Sequence, residues 1–473
     1  MLSKQNYRTI HSAIAARFHT YRELLLKPVD SATLATFRVF FGALMIWEVW
    51  RYVHYNRIYR YYLEPDFFFT YEFFPFVSPW PGNLMYWHFF AMGVLALGVM
   101  LGFFYRISAF LFCLAYSYVF LLDKAQYNNH YYLIILLAFL LVIVDAHRWA
   151  SVDQKRSPAP GLIPFWQLAI LRAQIVIVYF YGGLAKLNLD WLAGEPMRTW
   201  LFNRSDYPWL GPFLGTEGAT YFFTYGGLFF DLSIGFWLLW KPARLPAFIG
   251  ILFFNLMNHW LFNIGIFPFM MIAATILFAE PDLPRRLLRL PRLPLPPIAP
   301  KTAAYRSWVF SFIAIYLALQ ILAPLRHWLY PGDVAWTEEG HRFSWRMKLR
   351  TKGARLAMWV TDPATRQTWP VDFSQDLTAR QQSKMANRPD MILQYVHHLA
   401  QKYRQAGLET PIVQVDSWMS LNYRPYRPAV DLNLNLAEIR DGPLAHSAWI
   451  LPLDKSAVPL PISERTAIVG DAE

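Results

Sequence analysis

Long apolar runs constrain this chain more than any other feature of its sequence. About nine stretches are dominated by apolar and aromatic residues: 31–50, 84–104, 107–122, 130–146, 166–185, 219–240, 244–262, 265–279 and 307–325. A transmembrane helix needs roughly 20 such residues, so most of these runs can span a bilayer. The runs at 107–122 and 265–279 are short, and we expect them to be tilted, re-entrant or held by neighbours. The pattern predicts a polytopic membrane protein.

Composition supports this prediction. Of 473 residues, 55% are hydrophobic and only 16% are charged, whereas a soluble domain carries roughly a quarter charged residues. The single cysteine, Cys113, lies inside an apolar run and cannot form an intramolecular disulfide. No Cys/His spacing is typical of a metal site, so we predict no metal. We attribute the net charge of +12 to cytoplasmic loops and predict no nucleic-acid partner.

The distribution of Lys and Arg predicts the orientation. The N-terminal tail and the loops on its side of the nine spans hold seventeen of them, and the loops on the other side hold seven. Cytoplasmic loops carry the excess of positive charge, so the N-terminus is expected in the cytoplasm and residues after about 326 outside. Residues 1–30 lack the apolar core of a signal peptide and predict a basic amphipathic helix on the inner membrane surface.

The final third of the chain differs in character. "HRFSWRMKLR", "ARLAMWVTD" and "PIVQVDSWMSL" alternate as strands do, and "PDMILQYVHHLAQKYRQAG" has helical spacing with a Gly stop. We therefore predict a mainly α fold in three parts: an N-terminal amphipathic helix (1–30), a transmembrane helix bundle (31–325) and an extracytoplasmic α+β domain (326–473).

Polar residues gather on one predicted side of the membrane. "DKAQYNNH" (123–130), "GGLAKLNLDWLAGE" (182–195) and "HWLFNIGIFP" (259–268) all lie at the outer ends of spans, beneath the predicted outer domain. Polar groups beside hydrocarbon are costly unless something uses them. We expect these segments to converge at one cavity in the outer leaflet.

Lys186 is the most informative of these polar residues. It follows an apolar run and a Gly-Gly pair, which permits close helix approach or a local break. A lysine there either reaches to the membrane interface or is buried and functional. If it is buried in a water-poor pocket, it offers a free amine that can act as a general base.

The other polar residues allow structural and functional interpretations alike. His130 suits an interface or hydrogen-bonding role as well as a catalytic one, and Asn128 and Asn129 could simply cap the fourth span. Charged residues within spans are equally consistent with structural ion pairs and with a site: Arg38, Glu48, Arg172 and Asp231. Some aromatic side chains suit a flat apolar ligand such as a quinone. These patterns predict a membrane enzyme or carrier with a basic outer-leaflet pocket.

Several long motifs resemble one family. "MLGFFYRISAFLFCLAYSYVFLLDKAQYNNHYYL", "LRAQIVIVYFYGGLAKLNLDW", "NLMNHWLFNIGIFPFMMI", "FSWRMKL" and "DSWMSLNYR" occur in order between about residues 31 and 435. They are similar to the vitamin K-dependent γ-glutamyl carboxylase family. The chain is shorter than animal members, and the resemblance implies a bacterial inner-membrane homologue.

The resemblance implies an activity. Members of this family oxidise vitamin K hydroquinone with O2 to the epoxide, and they couple that step to γ-proton removal from a peptide glutamate and trapping by CO2. It implies a carboxylase (a carbon–carbon lyase) that uses phylloquinol or menaquinol, O2 and CO2. It implies as partners a glutamate-containing exported peptide or protein and the lipid bilayer.

The resemblance also assigns residues. It implies that Lys186 deprotonates the hydroquinone and that Asn129 and His130 serve the glutamate half-reaction. The remaining residues are implied to bind substrate: Asn128, Asn258, Trp418, Ser420, Asn422 and Arg424, with Asp416 in the same stretch as the last four.

The chain departs from the family at several positions. Ala185 replaces the first of two lysines, Asn258-His259 stands where animal members have Asn-Ser, and the single cysteine excludes the family's luminal disulfide. Propeptide recognition and the substrate therefore stay open. Two alternatives remain: a quinol epoxidase without carboxylation, and a non-enzymatic membrane binding protein of the same fold.

Overall fold

Nine apolar helices make up the first two thirds of the computed structural model, which describes residues 20–158, 160–294, 303–442 and 444–468. They are α1 (Ala32–His54), α2 (Leu84–Leu101), α3 (Tyr105–Leu121), α4 (Asn129–Ile143), α5 (Trp166–Leu184), α6 (Glu217–Leu239), α7 (Arg244–Phe262), α8 (Phe267–Thr275) and α9 (Ala303–Leu325). Each coincides with one of the apolar runs. The predicted helix bundle is confirmed.

Six of these helical segments are long and apolar enough to cross a membrane, and those containing α3, α4 and α8 are shorter apolar helices. The protein is therefore a multi-pass membrane protein. Most of the predicted N-terminal amphipathic helix lies outside the described residues, and residues 20–26 are helical.

Shorter elements connect the bundle. The short α-helices are Arg57–Tyr62, Val152–Arg156, Leu189–Leu192, Met197–Phe202, Gly211–Leu214, Leu283–Leu287 and Val334–Thr337. The 3-10 helices are Lys124–Gln126, Lys241–Ala243, Ile276–Phe278, Arg326–Leu329, Phe373–Gln375, Leu436–Glu438 and Ile462–Ile468. The strands β1 (Pro28–Asp30) and β2 (Leu162–Pro164) form a small antiparallel pair.

Close helix contact in the bundle depends on glycine. A Cβ at Gly183 of α5 would lie 2.7 Å from the backbone nitrogen of Leu232 in α6, and one at Gly42 of α1 would lie 2.7 Å from the Cα of Met100 in α2. Both distances are too short for any side chain. Gly183 therefore sets the close approach of α5 to α6, as the Gly-Gly pair before Lys186 predicted.

Charged residues inside the spans have defined partners. Arg38 donates to the carbonyls of Val99, Met100 and Ala150, and Arg172 donates to those of Leu277 and Ala279. Glu48 accepts from Arg51 at 2.7 Å. Each of these buried charged groups has a hydrogen-bond partner on the backbone or on a side chain within the bundle, as buried charges require.

The C-terminal domain is an α+β unit. Its four-stranded antiparallel sheet has the order β4 (Thr368–Pro370), β3 (Lys352–Thr361), β5 (Ile412–Leu421) and β6 (Arg427–Pro428). The helices α10 (Ala379–Ala386) and α11 (Pro389–Gln405) complete it. Alternate strand residues such as Val360 and Val413 are buried with Tyr395 and Val396 of α11. The predicted α+β fold is confirmed.

A network of buried charges joins this domain to the helix bundle. The Lys124 ammonium donates to Asp390 at 3.1 Å, and Arg342 donates to the same carboxylate at 2.8 Å. The two cations hold the pKa of Asp390 well below its usual range despite its burial. Nearby, Gln381 of α10 donates to Asp123 at 3.1 Å. Asp123 and Lys124, which the sequence grouped with the polar cluster, thus hold the two parts together.

Candidate active site

A cavity of about 870 Å³ lies between the helix bundle and the C-terminal domain. Residues from α4, α5, α6 and α7 line it from the bundle side, and residues between 341 and 388 line it from the C-terminal domain. Its walls include aromatic side chains from the bundle: Tyr179, Trp191, Phe222, Phe223, Phe230, Phe253, Phe254, Phe262 and Phe267. Lys186, Asn128, Asn129, His130 and Asn258 all line this one cavity. Three chain segments that were predicted to converge do so.

Lys186 lies just beyond the C-terminal end of α5, and its side chain is buried with 8% of the residue exposed. Its Nζ donates to Oδ2 of Asp231 in α6 and to the Gly182 carbonyl at 3.4 Å. The Trp191 ring lies 5.5 Å from Nζ, in range for a cation–π contact. Lys186 is therefore buried and paired, and it does not reach out to the membrane surface.

The residues after Lys186 fix its loop in place. Asn188 caps the short helix Leu189–Leu192, because its Oδ1 accepts from the Trp191 backbone nitrogen at 3.0 Å. The Trp191 indole donates to the Thr224 carbonyl of α6 at 3.0 Å. On the other side, Asp190 accepts two hydrogen bonds from Arg424, at 2.7 and 2.8 Å. A bidentate carboxylate–guanidinium pair is geometrically specific, so this pair orients the loop that carries Lys186.

Asn129 ties the start of α4 to the C-terminal domain. Its Oδ1 accepts from the Tyr127 hydroxyl at 3.0 Å, and its Nδ2 donates to the Arg346 carbonyl at 3.2 Å. The Tyr127 hydroxyl oxygen in turn accepts from the Phe343 backbone nitrogen at 2.6 Å. The Asn129 amide therefore positions segment 343–346, which supplies part of the cavity wall.

Asn128 and His130 flank this amide and line the cavity as well. Asn128 occupies the N-cap position of α4 without a capping bond from its side chain, which leaves the amide available to the cavity. The His130 ring is half-buried and contacts the rings of Tyr131 and Phe267, with centroids 4.6 and 6.2 Å apart. The prediction that these asparagines cap α4 therefore holds for the position of Asn128 but not for a capping hydrogen bond from its side chain.

Two asparagines of α7 lie on the cavity wall. Asn258, which the sequence assigned to substrate binding, is half-buried there. Asn255, one turn earlier, is 2% exposed and donates to the Ile251 carbonyl at 2.8 Å and to the Tyr179 hydroxyl at 3.4 Å. Asn255 was missed by sequence reasoning, because a single amide in an apolar run carries no motif.

The stretch from Trp418 to Arg424 does not line the cavity. The Trp418 indole donates to Asp416 at 2.7 Å, and the Ser420 hydroxyl donates to the Arg424 carbonyl at 2.6 Å. The Asn422 amide donates to Asp190 at 2.7 Å, beside the Arg424 pair. Asn422 and Arg424 thus contact the Lys186 loop at Asp190, and a direct role of the stretch in substrate binding stays a prediction.

The cavity wall is strongly cationic. Lysine and arginine line it at seven positions: Arg51, Arg57, Lys186, Arg346, Lys348, Arg380 and Arg388. Among the described residues of the wall, Asp231 is the one carboxylate, and it is paired with Lys186. Burial and the neighbouring Arg350 lower the pKa of Arg346 to about 10, so it remains a cation at neutral pH. The wall on the C-terminal domain side therefore favours an anionic ligand.

A neutral histidine completes that wall. Burial and the nearby Arg350 hold the pKa of His341 well below its ordinary value. Its Nδ1 accepts from Arg350 at 3.2 Å, which leaves Nε2 as the protonated nitrogen of the neutral ring. Arg57, Arg380 and the segment that holds His341, Arg346 and Lys348 lie far apart in the chain. Sequence reasoning assigned none of these residues to the site, although "FSWRMKL" contains Arg346 and Lys348, because no spacing links the three segments.

A bundle of apolar helices, an α+β domain at one end and a cavity between them define a multi-pass membrane protein with a candidate site in that cavity. The HTTM domain family model matches residues 26–283. The model of the vitamin K-dependent gamma-carboxylase lumenal domain matches residues 305–456. The chain belongs to the vitamin K-dependent gamma-carboxylase family. No solved structure matches the chain.

Proposed function

We propose that this protein is a vitamin K-dependent carboxylase that couples oxidation of a quinol by O2 to carboxylation of glutamate in a peptide. One observation carries the proposal: Lys186 and the Asn128–Asn129–His130 motif line the same cavity. Family membership supports a carboxylase-like function. We further propose that the cavity faces the extracytoplasmic side, as the distribution of Lys and Arg predicts.

The cavity has the properties that a quinol requires. Its volume of about 870 Å³ falls within the ordinary range for sites that bind small molecules. Aromatic side chains from α5, α6 and α7 supply flat apolar walls, and Lys186 supplies a polar group among them. When bound, the quinol supplies the reducing power that generates a base stronger than any side chain. Lys186 and Asp231 together form the base that would accept a proton from the quinol hydroxyl.

The Lys186–Asp231 pair can provide a free amine. Both residues are 8% exposed, so the charged form of the pair has lost most of its hydration. When the proton resides on Asp231 Oδ2, Lys186 Nζ has a lone pair and can accept a proton from a hydroxyl group in the cavity. Water exclusion strengthens the electrostatics of this transfer. The base we propose is therefore the pair, with the lysine nitrogen as its reacting atom.

The cationic wall of the cavity suits a glutamate side chain. Arg346, Lys348 and Arg380 face the cavity from the C-terminal domain, and Arg57 joins them from the helix bundle. These cations can hold a carboxylate while His130 or Asn128 lies near its carbon chain. The cavity therefore combines aromatic walls near Lys186 with a cationic surface. A reaction with one lipid-soluble and one ionic substrate needs both.

Separate product measurements test the proposal. Purified protein in lipid nanodiscs receives vitamin K hydroquinone, O2, labelled bicarbonate and a short glutamyl peptide, and the epoxide and the incorporated label are quantified. We expect both products from the wild type. Lys186→Ala should lower both by a factor on the order of 10² to 10⁴, while Lys241→Ala, at a lysine outside the cavity, should keep both.

The same assay separates the alternatives. Epoxide without label, unaffected by His130→Ala, would indicate a quinol epoxidase. Neither product from folded protein, across several glutamyl peptides, would overturn the proposal and leave a membrane binding protein. Under our proposal His130→Ala lowers label incorporation more than epoxide formation, and the matched change His446→Ala alters neither.

A further inference from the structure

The cavity continues to the apolar surface of the bundle between α6 and α7. Phe222 of α6 and Phe253 of α7 both line the cavity, and they are 65% and 66% exposed. Both helices belong to the candidate membrane spans, so this exposure faces hydrocarbon. A cavity wall that is also membrane surface marks an opening toward the bilayer.

Glycines form the opening itself. Gly226 and Gly227 of α6 line the cavity together with Gly250 of α7. A Cβ at Gly226 or Gly227 would meet no described atom within 4 Å, so the absent side chains leave open space. A helix-interior glycine costs about 1 kcal/mol relative to alanine. Close packing does not require these two glycines, in contrast to Gly183, and the space they leave connects with the cavity.

The opening leads directly to the Lys186–Asp231 pair. Gly227 precedes Asp231 by four residues, which places it about one helical turn away on the same face of α6. At the same level, the rings of Phe230 and Phe254 are stacked with centroids 4.0 Å apart. These stacked rings connect α6 to α7 beside the opening. An apolar chain attached to a head group at Lys186 therefore has one turn of helix to cross before it reaches lipid.

We infer that this opening, at Gly226 and Gly227 between α6 and α7, is a lateral portal for the isoprenoid tail of the quinol. The inference rests on the proposed function and adds to it the route by which the quinol enters the cavity, with its tail left in the bilayer. The portal has apolar sides, since Phe222, Phe229, Ile249 and Phe253 are all largely exposed around it. An apolar chain can cross it without leaving a polar group unsatisfied.

The kinetic test compares two menaquinols, one with a single isoprene unit and one with nine, in proteoliposomes. Gly226→Leu and Gly227→Leu fill the portal. We expect each to lower the ratio of kcat/KM for the long-tailed over the short-tailed quinol by about tenfold or more. Gly218→Leu, at an exposed glycine of the same helix that does not line the cavity, should leave that ratio unchanged. An unchanged ratio in the portal variants would overturn the inference.

A binding test does not depend on turnover. In a Cys113→Ser background, the thiol of Gly226→Cys is labelled with a lipid-soluble maleimide in proteoliposomes. Oxidised menaquinone with a long tail should slow this labelling, and the short-tailed quinone should slow it less. The thiol of Gly218→Cys should label at the same rate throughout.

The two tests distinguish failure of the portal from failure of the proposed function. Tail-dependent protection of the thiol without any quinol oxidation would uphold the portal and overturn the proposed enzyme. Quinol oxidation with neither tail-dependent protection nor a changed kinetic ratio would overturn the portal alone. Equal protection by short- and long-tailed quinones would also contradict it, because it would indicate an occupant of the head-group site only.

Discussion

The ammonium group of Lys186 donates to the carboxylate of Asp231, and this pair connects α5 to α6 inside the helix bundle. The sequence left open whether Asp231 forms a structural ion pair or belongs to a site. In the structure Asp231 forms an ion pair and also belongs to the candidate site, because its partner Lys186 is the candidate base. The Lys186 amine is held by a counter-charge, which fixes where Nζ lies and where its proton can go.

Asp231→Asn should reduce both stability and catalysis. Removal of one partner from a buried ion pair costs about 3–5 kcal/mol, whereas removal of both is often nearly neutral. We therefore expect Asp231→Asn to lower the unfolding temperature and Lys186→Met/Asp231→Asn to regain most of it. Thermal unfolding in detergent measures this. A double variant as unstable as the single one would contradict the pairing.

Catalysis provides a readout that a structural role would not give. If Asp231 holds the proton of Lys186, then Asp231→Asn should lower kcat for quinol oxidation by about a hundredfold and change KM for the quinol much less. Asp231→Glu, which keeps the carboxylate, should recover part of the loss. If instead KM rises and kcat stays, Asp231 shapes the pocket without taking part in proton transfer.

The Asp190–Arg424 pair predicts coupling between the C-terminal domain and the Lys186 loop. Asp190→Asn and Arg424→Ala should each lower quinol oxidation, because each frees the loop that carries Lys186. The double variant should lose little more than either single one, with a coupling energy of about 0.5–3 kcal/mol in a double-mutant cycle. Additive losses would show that the two residues act separately. Arg427→Ala, at a more exposed arginine on the same domain, is the matched control.

The apolar runs predicted nearly the whole membrane part of this fold, because a bilayer leaves a chain few options other than helices of fixed length. The ends of α5 and α7 fall within a residue of their predicted positions. The strands β3 and β5 were equally evident from their alternating residues. The helices and strands that depend on local sequence patterns could therefore be predicted. The strand predicted over 341–350 was wrong, because that segment forms turns along the cavity wall instead of pairing in the sheet.

The site was predictable only in part. Lys186, Asn128, Asn129 and His130 carry motifs, and their placement at the same ends of spans predicted that they meet. Arg57 and Arg380 carry no motif, and "FSWRMKL" does not indicate that its Arg346 joins them, because a cationic surface built from distant segments has no regular spacing. Asp123 and Lys124 were grouped with the polar cluster, but their partners Gln381 and Asp390 lie more than 250 residues away in sequence.

Asn129 should matter more for the peptide than for the quinol. Its amide holds the Arg346 carbonyl, and Arg346 is one of the cations that line the cavity. Asn129→Ala should therefore raise KM for a glutamyl peptide by about tenfold and alter KM for the quinol much less. Asn387→Ala, at an asparagine that bonds within its own helix region, is the control. Equal changes in both KM values would contradict this division of the cavity.

Asp123 predicts a pH dependence of stability. Burial raises the pKa of its carboxyl from 3.8 to about 6, although Ala125 and Gln381 donate to it. The folded state then binds this proton more tightly than the unfolded state does. The contribution of Asp123 to stability is therefore most favourable below about pH 4 and declines as the pH rises to about 6, by at most about 1.4 kcal/mol per pH unit.

Substitution of Asp123 isolates this effect. Asp123→Asn cannot ionise, so the unfolding temperature of the wild type minus that of Asp123→Asn should fall between pH 4.5 and pH 7.5. Asn also mismatches the Gln381 amide, and this adds a destabilisation that does not depend on pH and leaves the trend readable. The exposed Asp206 offers a matched change, Asp206→Asn, for which we expect a much weaker trend. A wild-type advantage that grew with pH would mean that the folded protein favours the Asp123 carboxylate, contrary to its burial at the contact between the helix bundle and the C-terminal domain.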